Sequence, residues 1–392
     1  MNKNYIYFDN SATTKIDQRV INEMIPHIET LYGNPSSLHM EGQRARRVID
    51  KSRETIASYI GSDIQEVIFT SGGTESNNTV MNGVAQALKK KGKHIITTSI
   101  EHDSILNPLE NLEGFDITYL KPSITGHISL EDLKSKIRDD TILISIAYAN
   151  SEIGSIQDIQ KIAEIAHEKG VLIHTDAMQA AKYKDINVKN IGVDLMTFGA
   201  HKINGPKGIG ALFIKRGTMI KPLLYGGSQE YRFRGGTENT ALIAGFAKAV
   251  EILQNEKDDR SKYVKSLRDL FESSLQNHLK DIKINGSKSN GSGSNGSKSN
   301  GGGERLESIS NIYFKNVSTE TMIINLDMKG IAASAGSACS SLSIEPSHVL
   351  TSIGLSIEEA KHSVRFSFGH ENTESEIESS IKIIRDIYGS QL

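Results

Sequence analysis

The sequence predicts an α/β protein: a large domain on a mainly parallel sheet flanked by helices, followed by a smaller α+β domain. Three observations carry this expectation. Short apolar runs alternate with helical-period segments from Val67 to Ile214, the pattern of strands joined by crossover helices and covered on both faces. A long helical segment, Ala241 to Leu279, then separates this part from Ile309–Leu392, where a smaller α+β unit is expected. A chain of 392 residues can bury a large core and form two or three domains.

Taken in order, residues 1–15 read as extended and polar, and Asp9-Asn10-Ser11-Ala12-Thr13-Thr14 offers many short hydrogen-bonding side chains. Helical periodicity covers Gln18–Ile28 and Gly42–Ile60, separated by the turn-rich Gly33-Asn34-Pro35-Ser36-Ser37. Val67–Thr70 reads as a strand running straight into Ser71-Gly72-Gly73-Thr74-Glu75-Ser76-Asn77-Asn78, and a helix continues to about Lys90. Further strands are expected at His94–Thr98, Ile117–Leu120, Ile142–Tyr148, Val171–Thr175, Leu195–Phe198 and Gly210–Ile214, with helices near Leu130–Ile137 and Asp158–Glu168. The last two strands are joined by a tight turn that presents Lys202 where the chain bends. In such a sheet the loops at the carboxyl ends of the strands are the expected ligand site. Gly286–Gly303 is almost pure Gly, Ser, Asn and Lys and cannot bury enough apolar surface to offset its ordering entropy. It is expected to be a mobile loop without chemistry, and its near-repetition fits an engineered linker or a natural repeat expansion equally.

Composition narrows the function classes. A formal net charge of -2 gives no electrostatic ground for a nucleic-acid or anionic-membrane partner. No apolar run reaches the length of a membrane span, and MNKNYIYFDNSATT has polar residues where a signal peptide needs its apolar stretch, so a soluble cytoplasmic protein is expected. Cys339 is the only cysteine, which excludes an intramolecular disulfide and a cysteine-based zinc cage; no metal site is expected. A lone cysteine is usually a small buried hydrophobe. Ser334-Ala335-Gly336-Ser337-Ala338-Cys339-Ser340-Ser341-Leu342-Ser343, however, is small and polar, unlike a core setting.

Four motifs fall at strand ends. Ser71-Gly72-Gly73-Thr74 lies between a strand and a helix, where close backbone approach, free helix N–H groups and a hydroxyl make a phosphate cradle. A helix-capping turn would read the same, and the lysine of a Walker motif and the glycine spacing of a dinucleotide fingerprint are both missing. His174-Thr175-Asp176-Ala177-Met178-Gln179 puts an acid at a strand's carboxyl end, where capping a following helix is the common bland role. His201-Lys202 and Glu101-His102-Asp103-Ser104 complete the set, and a turn lysine by itself is ordinarily a solvated charge. Each is ambiguous singly. Together, a phosphate cradle, a ring-stacking histidine, an acid and a lysine are what pyridoxal 5'-phosphate needs: Lys202 to hold the aldehyde as a Schiff base, and Asp176 to keep the pyridine nitrogen protonated so that the ring withdraws electrons.

At this point the chain resembles the fold-type I pyridoxal-phosphate enzymes, specifically the cysteine desulfurases of the NifS/IscS group. The matching pieces are FDNSATT (8–14), GNPSSLH (33–39), FTSGGTESNN (69–78), EHDS (101–104), NSEIG (150–154), HTDAMQ (174–179), GAHKINGPKGIG (199–210), RGGTEN (234–239), SAGSACSS (334–341) and VRFSFG (364–369). They span almost the whole chain in family order. The resemblance implies that Lys202 carries the Schiff base, Asp176 pairs with the pyridine nitrogen, Gln179 bonds the phenolic oxygen beside Ser151, and His102 stacks on the ring and relays protons. It implies that Gly73, Thr74 and His201 bind the phosphate, that Thr237 reaches the phosphate in the partner of a homodimer, and that Arg365 clamps the substrate carboxylate near Asn34. Cys339 would attack the sulfur of L-cysteine and carry it as a persulfide to an acceptor protein, an iron–sulfur scaffold or a tRNA-thiolation enzyme. The implied division is 1–15 joining the small domain, 16–255 as the cofactor-binding domain and 256–392 as the small domain carrying the cysteine.

Two departures stand out: many of these enzymes have Asn at the position of Ser151 and Ser at that of Gly199. Each is expected to cost the cofactor one hydrogen bond, about 1 kcal/mol. The chain also stops at Tyr388-Gly389-Ser390-Gln391-Leu392, without the longer tail that some family members use to dock a scaffold, which puts such delivery in doubt.

Overall fold

Strands that are apolar along their whole length must be covered on both faces, and the computed structural model places them in the middle of the protein. It describes residues 5–286, 304–336 and 346–390. The first part of the chain runs β1 (Ile6–Tyr7), α1 (Gln18–Glu29), α2 (Met40–Ile60), β2 (Val67–Thr70), α3 (Gly73–Leu88), β3 (His94–Thr98), α4 (Asp103–Glu110), β4 (Asp116–Leu120) and α5 (Leu130–Lys136). It continues through β5 (Thr141–Ser145), α6 (Ile159–Glu168), β6 (Leu172–Asp176), α7 (Val188–Ile191), β7 (Leu195–Gly199), β8 (Gly210–Ile214) and α8 (Thr240–His278). The seven-stranded sheet has the order β2-β8-β7-β6-β5-β3-β4. All neighbours are parallel except β8, which is antiparallel to both β2 and β7. Six carboxyl ends therefore open on one edge, as the alternating pattern predicts.

The second part comprises β9 (Ile282–Ile284), β10 (Ile309–Phe314), α9 (Thr319–Met328), β11 (Ile331–Ala332), α10 (His348–Ser352), α11 (Ile357–Lys361), β12 (Ser363–Ser367) and α12 (Glu374–Gly389). Its antiparallel sheet has the order β12-β10-β9, and the N-terminal β1 pairs in parallel with β11. Phe8 continues this attachment: its ring meets those of Phe271 and Phe368 at centroid distances of 6.0 and 5.0 Å.

Differences from the sequence expectation are instructive. The run Ile142–Tyr148 is strand only to Ser145. Beyond it the chain follows β6 by single bonds, Ile146 N–H to the His174 carbonyl and Tyr148 N–H to that of Asp176, and turns toward the sheet edge. Position 255/256 falls inside α8, which runs unbroken for 39 residues because no Gly or Pro interrupts it after Gly245. The polar segment 287–303 lies outside the described residues, as does 337–345. Among the described residues no helix is long and apolar enough to cross a membrane.

Candidate active site

The carboxyl ends of β2, β3, β5, β6 and β7 surround a cavity of about 230 Å³. Gly73, Thr74, His102, Ser151, Asp176, Gln179, His201, Lys202 and Arg365 all line it, so nine of the residues singled out in the sequence meet at one place. Their elements explain the meeting. Asp176 is the last residue of β6, His102 caps α4 just after β3, and Lys202 lies in the turn that follows β7.

The phosphate cradle is the start of α3. Gly72 precedes the helix at φ +149, a conformation that L side chains rarely adopt, and the helix has no side-chain cap. Its leading N–H groups and the positive end of its dipole thus remain for an anion. A Cβ on Gly73 would come 3.0 Å from the Met178 sulfur, and one on Gly199 would lie 2.8 Å from the Met178 methyl. Met178 thus fills the space that a side chain at position 199 would need, which gives the glycine departure its setting.

Lys202 is held by the N-terminal segment. Its Nζ donates to the carbonyls of Ser11 and Ala12 at 2.5 and 2.7 Å, and the His201 carbonyl accepts from both Thr14 N–H and Thr14 Oγ1. The Ser11 carbonyl also accepts from Gln179 Nε2 at 2.9 Å, which leaves the second N–H of that amide for an acceptor in the cavity. Arg365, buried, reaches Asp9 Oδ1 at 2.8 Å and the Ser151 carbonyl at 3.2 Å. Its Nε–H is buried without a hydrogen-bond partner.

Asp176 is 8% exposed, and each carboxylate oxygen accepts one hydrogen bond: Oδ1 from Met178 N–H and Oδ2 from Asn77 Nδ2, both at 2.8 Å. Two such bonds orient the carboxylate while leaving lone pairs for a cationic N–H. Beside it, burial pushes the Glu101 carboxyl up to about 8, and its oxygens accept from Thr98 Oγ1 and Ala147 N–H. Burial and the neighbouring Lys202 and Lys207 push the His201 imidazole down to about 4, so at neutral pH it is an uncharged ring able to donate one N–H.

An uncapped helix N-terminus, a buried oriented carboxylate and a lysine on one cavity fit a phosphorylated pyridinium aldehyde. The class-V aminotransferase family profile matches residues 6–379. The chain belongs to the class-V aminotransferase family. Within it, the cysteine desulfurase IscS of Dictyoglomus turgidum is 44% identical over 387 residues, covering 98% of this chain and 95% of the relative. The IscS of Methanosarcina thermophila is 41% identical, covering 97% of this chain and 91% of the relative. Among solved structures, a NifS-like protein superposes with a TM-score of 0.90 at 33% identity, covering 99% of this chain and 100% of that one. SspA in complex with cysteine superposes with a TM-score of 0.80 at 34% identity, covering 94% and 100%. Pyridoxal 5'-phosphate is the cofactor of this family.

Three sequence candidates do not join the cavity. Asn34 and Thr237 lie together in a second depression, with Tyr32, Pro35 and Glu238, and both are exposed. Cys339 lies outside the described residues. Conversely, Ser11 and Asn77 hold Lys202, Gln179 and Asp176 but are absent from the sequence candidates. Their only signal is position, inside FDNSATT and FTSGGTESNN.

Proposed function

We propose that the cavity is the active site of a pyridoxal-phosphate-dependent cysteine desulfurase, releasing L-alanine from L-cysteine and retaining the sulfur on Cys339. The observation that carries this reading is the convergence of Lys202, Asp176 and the start of α3 on one cavity. When bound, the cofactor supplies an electron-withdrawing ring that stabilises negative charge beside the substrate's amino nitrogen. Lys202 would hold its aldehyde carbon and afterwards move a proton at Nζ. Asp176 would face the ring nitrogen, and Gln179, beside Ser151, the phenolic oxygen. Gly73, Thr74 and neutral His201 would hold the phosphate, and His102 would lie against the ring. Arg365 would take the substrate carboxylate, a bidentate task for a guanidinium already fixed by Asp9. The Cys339 thiolate would then accept the substrate's sulfur atom as a persulfide and pass it to an acceptor protein, a scaffold for iron–sulfur clusters or a tRNA-thiolation enzyme.

The enzyme works as a homodimer in the cytoplasm on this reading. Thr237 and Asn34 stand apart from the cavity of their own chain, beside exposed apolar side chains such as Tyr32 and Ile28. A second copy would cover that face and receive Thr237 at its phosphate. The deciding experiment incubates the cofactor-loaded protein with L-cysteine and a thiol reductant. Sulfide and alanine should appear in equal amounts, and Cys339→Ala should abolish both while leaving the visible absorbance of the bound cofactor intact. Unaltered turnover in that variant would remove Cys339 from the mechanism.

A further inference from the structure

Asn77 sits in the first turns of α3 with 0% exposure, yet it is a polar side chain with one carbonyl, Oδ1, that has no hydrogen-bond partner. Leaving a buried acceptor unpaired is destabilising, so the residue is an expensive choice for packing alone. Its amide nitrogen uses both hydrogens. One goes to Asp176 Oδ2 at 2.8 Å and the other to Ser104 Oγ at 2.9 Å. The orientation of the amide is fixed, because a flip would set Oδ1 against the Asp176 carboxylate, acceptor against acceptor.

The direction of the next bond follows. Ser104 Oγ receives a hydrogen from Asn77, so its own hydrogen is directed to His102 Nδ1, 2.9 Å away. The backbone N–H of Ser104 also donates to Nδ1, at 3.0 Å. A neutral His102 ring therefore carries its hydrogen on Nε2. Every bond in the path points away from Asn77: to Asp176 on one side and, through Ser104, to His102 on the other. Three elements, α3, β6 and α4, are joined at this point.

We propose that Asn77 is a positioning residue which, through the two hydrogens of one amide, sets the Asp176 carboxylate and the His102 imidazole in a single frame around the cofactor ring. This rests on the reading of the cavity given above. Asn77 also borders the cavity, and its amide hydrogens are both spent on Asp176 and Ser104, so its role is to fix those groups. The other titratable groups lining the cavity with Asp176 and His102 are Glu101, Asp103, Glu152, His201, Lys202, His348 and Arg365, and none of them is altered in the variants needed.

The test uses cofactor-loaded wild type, Asn77→Ala, the isosteric Asn77→Asp, Ser104→Ala and the Asn77→Ala/Ser104→Ala double variant. The pH midpoint of the cofactor's visible absorbance, kcat, KM and apoprotein melting temperature are measured for each. In Asn77→Asp the midpoint should rise by about half a pH unit or more, since a second carboxylate favours the protonated chromophore. In Asn77→Ala kcat should fall about tenfold to a hundredfold with KM within about twofold, through misplacement of the groups it held. The double variant should be no slower than Asn77→Ala, because both substitutions cut one path. A lower melting temperature with unchanged midpoints and kcat would reduce Asn77 to a packing residue and overturn the proposal, as would strictly additive losses in the double variant. A wild-type protein that takes up no cofactor would instead overturn the reading of the cavity itself.

Discussion

The cavity at the sheet edge and the depression beside Thr237 gather motifs of the same resemblance, but they differ in what completes them. At the cavity, Lys202 is supported from within the chain by Ser11 and Ala12, Asp176 by Asn77 and Met178, and Arg365 by Asp9. At the depression, Asn34 and Thr237 are exposed on loops, away from the cavity of their own chain. Buried strand ends make a site that a single fold can preorganise; exposed loops offer groups that another surface can employ. The segment leading to Thr237 is nonetheless anchored by ion pairs. Arg53 and Glu230, both buried, are joined by two bonds of 2.7 and 2.8 Å, and Arg234 grips Glu75 on α3. Glu230, Tyr231 and Arg232 are all held at positive φ as a result, a conformation that costs non-glycine residues about 1–3 kcal/mol each unless the surroundings over-determine it.

The comparison can be broken most directly at Lys202. Lys202→Ala should lower sulfide release by about three orders of magnitude or more, by removing the nucleophilic amine, and borohydride reduction should leave no cofactor covalently attached to the chain. Thr237→Ala should be milder, weakening cofactor binding about tenfold through loss of one hydrogen bond to a charged group. The two sharpen each other when mixed. If Thr237 serves the partner's cavity, refolding equal amounts of the variants together, at a cofactor level low enough to leave Thr237→Ala largely empty, should restore about a quarter of wild-type activity, because half of the dimers then carry one intact site. Activity equal to the plain average of the separate variants would return Thr237 to its own chain.

A last expected effect, on stability rather than turnover, concerns the buried middle of the sheet. His174 lies between β5 and β7, bonded to Ser145 Oγ and Thr197 Oγ1, and burial lowers its imidazole to about 3. Because the folded value lies below the unfolded one, stability is complete above about pH 6.5 and is lost as pH falls toward 3. Denaturant midpoints of the apoprotein should fall from pH 7 to pH 4. His174→Gln should remove up to about 1.4 kcal/mol per pH unit of that slope, one proton's worth. An unchanged slope would show that His174 takes up its proton equally readily in the folded and unfolded chain.

Much of the cavity was legible because its chemistry sits at the ends of apolar runs. Asp176, Lys202 and Gly73 follow strands whose period is clear, so their placement on one edge needed only the rule for parallel sheets. The separation of Asn34 and Thr237 from that edge was not legible, since nothing local says which face of the molecule a loop occupies. Nor was the run of positive φ at Glu230-Tyr231-Arg232, because these residue types ordinarily avoid it and a distant arginine, Arg53, imposes it.

By itself, then, the sequence determined the order of strands and helices, the mainly parallel sheet and most of the residues that line the cavity, because these depend on periodicity and on side-chain chemistry within short stretches. Only the tertiary structure decided what holds those residues. The Ser11 carbonyl beneath Lys202 lies 191 positions away in the chain, and the Asn77 amide behind Asp176 lies 99 positions away. Hydrogen bonds of that span exist only once the sheet has brought their partners within about 3 Å of each other.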